Sequence, residues 1–68
     1  MTWDELKEKA KEIGYSDYEH PYLNAVEKGE FVFYRGGWIY IDKKDGNEVL
    51  LSSGRTYDQM WQIMEALE

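Results

Sequence analysis

The 68-residue chain contains no cysteine, one histidine and one proline. Without cysteine there are no disulfides, no thiolate nucleophiles and no sulfur-ligated metal sites, a pattern that suits a reducing compartment. No stretch approaches the ~18 apolar residues a membrane span needs, and the chain runs from Met1 into a charged amphipathic segment without an apolar signal region. The expectation is a soluble, cytoplasmic protein with no membrane association. Cations are also scarce: 8 Lys and Arg against 14 Asp and Glu give a net charge of -6. Duplex binding is driven by cations that displace counterions from phosphates, so duplex nucleic acid is not an expected partner.

The chemistry of catalysis is missing as well. The single histidine, His20, lies in Asp17-Tyr18-Glu19-His20-Pro21, where two carboxylates and an imidazole fall close together. A metal site needs three or four ligands on a rigid frame, and a catalytic dyad needs a nucleophile beside its base. The segment supplies neither, and it reads as a solvated loop. No GxGxxG, P-loop, HExxH or GxSxG spacing occurs, and Gly36-Gly37 lacks the following helix and lysine of a phosphate cradle. The expectation is therefore a protein that is not an enzyme and carries no cofactor or metal.

What the sequence does have is aromatic residues, eleven in 68. They concentrate in Phe31-Val32-Phe33-Tyr34-Arg35-Gly36-Gly37-Trp38-Ile39-Tyr40-Ile41, where two aromatic and β-branched runs flank a glycine pair, the composition of a β-hairpin. The spacing predicts strands over about 31-34, 38-42 and 48-52 in a three-stranded antiparallel meander. Three-residue loops at Arg35-Gly36-Gly37 and Lys44-Asp45-Gly46, each a type I turn with the last glycine in the left-handed bulge position, give one consistent pattern. Phe31, Phe33, Ile39, Ile41, Val49 and Leu51 then share one face, and Val32, Tyr34, Trp38, Tyr40, Glu48 and Leu50 the other. A two-residue turn at Gly36-Gly37 would instead flip the first strand, because one residue of register moves every side chain to the opposite face.

Two helices flank the strands. Thr2 with Glu5, and Thr56 with Gln59, have the spacing of reciprocal capping boxes, and Gly14 stands where a left-handed residue ends a helix. Helices are expected over about 3-13 and 57-67. Trp3, Leu6, Ala10 and Ile13 form a narrow apolar stripe on the first; Tyr57, Met60, Trp61, Ile63, Met64 and Leu67 form a broader one on the second, which should lie centrally on the sheet. In between, Pro21 and Gly29 can start and stop a short helix over about 21-28, with an extended strand or ordered loop as the competing reading. At this length the chain is one domain, residues 1-68, of the α+β class, with both long helices on one face of the sheet.

The expected site is the other sheet face. Tyr34, Trp38, Tyr40 and Leu50, with Val32 beside them and Arg35 at the rim, would form a partly apolar patch of the residue types enriched at interface hot spots. That patch supports binding to a protein partner or self-association, as a monomer or homodimer. Two other readings compete: residues 15-30 fold beneath the sheet and bury these aromatics, or the face stacks single-stranded nucleic acid. A different functional reading starts from the acidity. Asp17, Glu19, Glu27, Glu30, Asp58, Glu65 and Glu68 would form a negative surface that mimics nucleic-acid charge and fills the basic groove of another protein.

Overall fold

The computed structural model of the chain describes residues 1-18, 24-43 and 45-68. Helix α1 spans Trp3–Glu12 and helix α2 Tyr57–Ala66, with strands β1 (Ser16–Tyr18), β2 (Ala25–Lys28), β3 (Phe31–Tyr34), β4 (Trp38–Asp42) and β5 (Glu48–Ser52) between them. The strands form one antiparallel sheet in chain order, β1-β2-β3-β4-β5.

Both helix starts carry the expected capping boxes: Thr2 Oγ1 accepts from Glu5 N while Glu5 Oε1 accepts from Thr2 N, and Thr56 and Gln59 repeat the exchange. Helix α1 ends in a Schellman motif, in which Tyr15 N donates to Ala10 O and Gly14 N to Lys11 O. The carbonyls that a helix C-terminus leaves unpaired are thereby satisfied, and the chain turns directly into β1.

The expected meander of three strands is extended to five. Ala25–Lys28 is strand, not the second half of a helix over 21-28; residues 21-23 lie outside the described part. Gly29, read from sequence as a helix stop, belongs instead to the two-residue loop Gly29-Glu30 between the paired residues Lys28 and Phe31. The physical reason lies in where Ala25 and Val26 are buried. Successive strand residues point to opposite faces, and Val26 enters the core under the helices while Ala25 enters a second cluster on the other side. A short isolated helix has no such gain to offset its costly nucleation.

The three-residue loop at Arg35-Gly36-Gly37 sets the expected parity, with Phe31 opposite Ile41 and Phe33 opposite Ile39. Its turn type differs. Gly37 N donates to Tyr34 O at 3.2 Å, but Gly36 has φ 110°, which type I forbids and the third position of a type II turn requires. Gly37 also has positive φ, and an added Cβ there would lie 2.4 Å from Arg55 O, so the turn packs main chain against main chain.

The main core sits between the helices and one sheet face: Trp3, Leu6, Ala10, Tyr15, Val26, Phe33, Ile39, Met60 and Met64 are buried together, with Phe31, Tyr57, Trp61 and Ile63 packed against them. The rings of Trp3 and Tyr57 lie 5.7 Å apart where the helices meet, and the Lys9 ammonium sits 5.2 Å over the Trp61 ring. Among the described residues nothing accepts from the buried indole N–H of Trp3.

Candidate functional site

On the face away from the helices, the expected open aromatic patch is only partly open. Val32 and Tyr34 are 0% and 3% exposed, which corrects the expectation that both lie on the surface. Residues 16-18 and 25-28 extend the sheet as β1 and β2 and bring Tyr18 and Ala25 alongside them. The Tyr34 ring is packed edge-on against Tyr18 on one side, 6.1 Å between centroids, and Tyr40 on the other, 5.2 Å. Its hydroxyl donates to Glu48 Oε1 at 2.8 Å, and that of Tyr18 to Asp42 Oδ2 at 3.4 Å. Burial and the Glu48 carboxylate push the Tyr34 phenol far above its ordinary value, and burial raises Tyr18 as well. These phenols are therefore neutral hydrogen-bond donors near neutral pH, unsuited to act as phenolate bases or nucleophiles.

The remaining residues of the expected site lie at the edge of this cluster. Trp38 is opposite Tyr34 in the β3–β4 ladder, and Tyr40, half-buried, is opposite Leu50 of β5. The Trp38 ring lies over Gly36, close enough that a Cβ on Gly36 would fall 2.9 Å from it. Arg35 is exposed in the adjoining turn, where its main-chain N–H donates to Asn24 O at 2.9 Å. The structure thus gathers Trp38, Tyr40 and Leu50, withdraws Tyr34 beneath them, and holds Arg35 at the hairpin tip.

The larger apolar surface is on β5. Trp38 is 40% exposed, and Val49, Leu50 and Leu51 are 47%, 50% and 51% exposed. Val49 pairs with Ile41 and Leu50 with Tyr40, so the two point to opposite faces. Ile39 is opposite Ser52, leaving Leu51 as an extra residue at a β-bulge. This corrects the expected alternation, which placed Leu51 with Val49 and Ile39. The bulk of the helical layer rests on β2, β3 and β4, through Val26, Phe33 and Ile39. Val49 consequently has little cover on the helix side, and Leu50 little on the other.

The two sheet edges are built differently. β1 is three residues long, and its central Asp17 is held by Lys7 at 3.7 Å and Lys11 at 3.2 Å from α1. A short, charged edge is how sheets resist unwanted pairing. β5 has five residues, three consecutive aliphatics and no cation within the strand. Its polar groups can be assigned from the ladder. Lys43 N donates to Asn47 O, which makes 43 and 47 a hydrogen-bonded pair; alternation then turns the main chain of Val49 toward β4 and that of Glu48 and Leu50 outward. Asp42 N donating to Glu30 O fits the same alternation on the other side of β4.

Sequence reasoning selected Leu50 and missed Val49 and Leu51. The signal was present in Val49-Leu50-Leu51, a run that does not alternate, which is the pattern of a strand covered on both faces. Here that pattern occupies an edge.

The acidic surface is more dispersed than its composition suggests. Asp17 is paired with two lysines, Asp58 with the N-terminal ammonium at 3.1 Å, and Glu68 with Lys28 at 2.7 Å. Glu19 lies outside the described residues, as does His20. A cleft of about 370 Å³ near Tyr15, Phe31, Met64 and Leu67 is crossed by Lys28, which donates to Ile13 O and Glu68 Oε1, both at 2.7 Å, and lies 5.8 Å from the Tyr15 ring centroid. Its one cation is engaged in joining the ends of the two helices. Among the described residues no group of three or more His, Asp or Glu is placed to hold a metal ion, and no helix is long and apolar enough to cross a membrane.

No protein-family model, curated protein or solved structure matches the chain. The reading of function rests on the physical character of the surface.

Proposed function

We propose that this chain is a small non-enzymatic binding module of the cytoplasm, which engages a protein partner or a second copy of itself through Trp38, Tyr40 and the exposed strand β5. The observation that carries this reading is the exposed run Val49-Leu50-Leu51 on β5, which among the described residues is an edge strand, together with the half-open indole of Trp38. Water penalises such a surface by roughly 25 cal/mol for each Å² of apolar area. An uncovered edge with outward N–H and C=O groups also templates strand addition. In that recognition mode an extended segment takes its affinity from main-chain hydrogen bonds and its specificity from side-chain contacts. Leu50 contributes to both, since its main chain faces outward and its side chain lies beside Tyr40.

The reading is tested by selecting extended peptides from a random displayed library against the folded domain, then screening them against Trp38→Ala and Leu50→Arg. Peptides that bind the parent chain and lose at least about tenfold in affinity to both variants, with helix content unchanged, support it. Failure to enrich any peptide, or enrichment indifferent to both substitutions, removes it.

A further inference from the structure

We infer that the cleft between the end of α2 and the β2–β3 loop is a site for a small organic cation, an ammonium group carried on a hydrocarbon body. The site shares no residue with Trp38, Tyr40 or β5 and is independent of the binding reading above.

The walls of the cleft are apolar. Tyr15 and Phe31 supply two aromatic rings, and Met64 and Leu67, one turn apart at the end of α2, supply two aliphatic side chains. Tyr15 and Met64 are 5% and 0% exposed while Leu67 is 46% exposed, so the first two form the floor and Leu67 stands at the mouth. A volume of about 370 Å³ lies at the lower end of the range for small-molecule pockets, which selects a small molecule over a folded partner.

The charge around these walls selects the sign of the ligand. Helices α1 and α2 run parallel: the N-terminal ammonium meets Asp58 where they start, and Lys28 joins Ile13 O to Glu68 where they end. Both C-terminal ends therefore lie at the cleft, each equivalent to roughly half a negative charge. Glu30 and Glu68 line it, and Lys28 is the one cation among the lining residues. The lysines in the last turn of α1 are turned elsewhere, Lys9 over Trp61 and Lys11 to Asp17, and α2 has no basic residue in its last turn. An anion is repelled by such a field and a cation is drawn in.

The same place already holds one ammonium. Lys28 Nζ lies 2.7 Å from Ile13 O and from Glu68 Oε1, and 5.8 Å from the Tyr15 ring centroid. A carboxylate beside an aromatic face is the chemistry that recognises organic cations. Lys28 offsets one carboxylate, which leaves the charge of Glu30 and of the two helix ends to attract a second cation.

The test uses hexyltrimethylammonium, hexanol and hexanoate, which share one hydrocarbon chain and differ in head-group charge. Titrated into the isotope-labelled chain, hexyltrimethylammonium should shift the amide signals of Tyr15, Phe31, Met64 and Leu67 saturably, with a Kd of about 1 mM. Hexanol should bind about five- to thirtyfold more weakly, and hexanoate more weakly still. Glu30→Gln with Glu68→Gln should cost the cation at least about threefold and hexanol nothing, with helix content unchanged. Asp4→Asn removes one charge from the far end of α1 and should leave the affinity as it was. Absence of saturable shifts at these amides up to about 20 mM overturns the inference, as does hexanoate binding as tightly as the cation. An equal loss from Asp4→Asn, which would show attraction to net charge alone, overturns it too. Peptide selection through Trp38 and Leu50 is read separately, so the two readings fail separately.

Discussion

The phenol of Tyr34 donates to Glu48 Oε1 at 2.8 Å, so that a side chain of β3 reaches over β4 to hold β5, a strand whose Val49, Leu50 and Leu51 are about half exposed. The contact also passes Tyr40, whose ring stands edge-on to that of Tyr34. Edge-strand order and tyrosine protonation are thereby linked.

The sign of that linkage follows from the direction of the shift. Burial, followed by the Glu48 carboxylate, raises the Tyr34 phenol above its ordinary 10.0, and burial raises Tyr15 and Tyr18 in the same direction. A group raised in the folded state contributes stability that is fully present below its unfolded value and is lost as pH climbs toward the folded one. Chemical denaturation across pH should therefore show stability independent of these groups near neutrality and falling above pH 10. Tyr34→Phe should cost about 1 to 2 kcal/mol at pH 7 by removing a hydrogen bond to a charged acceptor, and should flatten the alkaline decline. An unchanged alkaline slope would show that Tyr34 is not a source of it.

Two glycines with similar backbone angles should respond very differently to alanine. Gly37 has φ 98° and its added Cβ would meet Arg55 O at 2.4 Å, while Gly46 has φ 93° with nothing within 4 Å. Gly46→Ala carries conformational strain alone, about 1 to 2 kcal/mol. Gly37→Ala adds a main-chain collision beside the bond from Arg55 N to Gly37 O, and should cost at least about 3 kcal/mol. Thermal melts of the two variants decide the matter; equal losses would mean that the chain around Arg55 gives way freely.

Trp38 and Phe33 test which aromatic residues belong to the core. Phe33 is fully buried among the helices, and Phe33→Ala should cost about 3 to 5 kcal/mol. Trp38→Ala should cost no more than about 1.5 kcal/mol, because much of its ring is already in water. A Trp38→Ala loss as large as that of Phe33→Ala, read from urea midpoints, would remove Trp38 from any contact surface.

The helices were legible almost to the residue, because Thr2 with Glu5, Thr56 with Gln59 and Gly14 write their ends in local hydrogen-bonding chemistry. The preferred parity of Phe31, Phe33, Ile39 and Ile41 is the one observed, but the glycine pair alone allows a two-residue turn as well, and the choice rests on a matching three-residue loop at Lys44-Asp45-Gly46 in the sequence. β1 and β2 were not legible. Ser16–Tyr18 and Ala25–Lys28 are too short to show periodicity, and Gly29 signals a stop without saying what stops. Leu51 was misplaced because a bulge adds a residue that alternation cannot anticipate. Tyr34 was assigned to an open surface because the rings of Tyr18 and Tyr40 that enclose it come from opposite sides of β3, one of them from a strand the sequence did not reveal. The candidate surface was legible as a neighbourhood of Trp38, Tyr40 and Leu50, but that it lies along a sheet edge was not.

Because the sheet is laid down in chain order, each strand finds its neighbour across a connecting segment of eight residues or fewer, whereas Trp3 and Tyr57 must meet from almost opposite ends of the chain. Loop closure of that length carries the largest entropic penalty in the fold. Refolding should then proceed by early zipping of β3 with β4 and late arrival of α2 against α1. Substitutions at Phe33 should slow folding, while truncation of Trp3 or Tyr57 should mainly hasten unfolding, a division that stopped-flow chevrons read directly. Comparable slowing of folding from both ends would mean instead that the helices meet before the strands do.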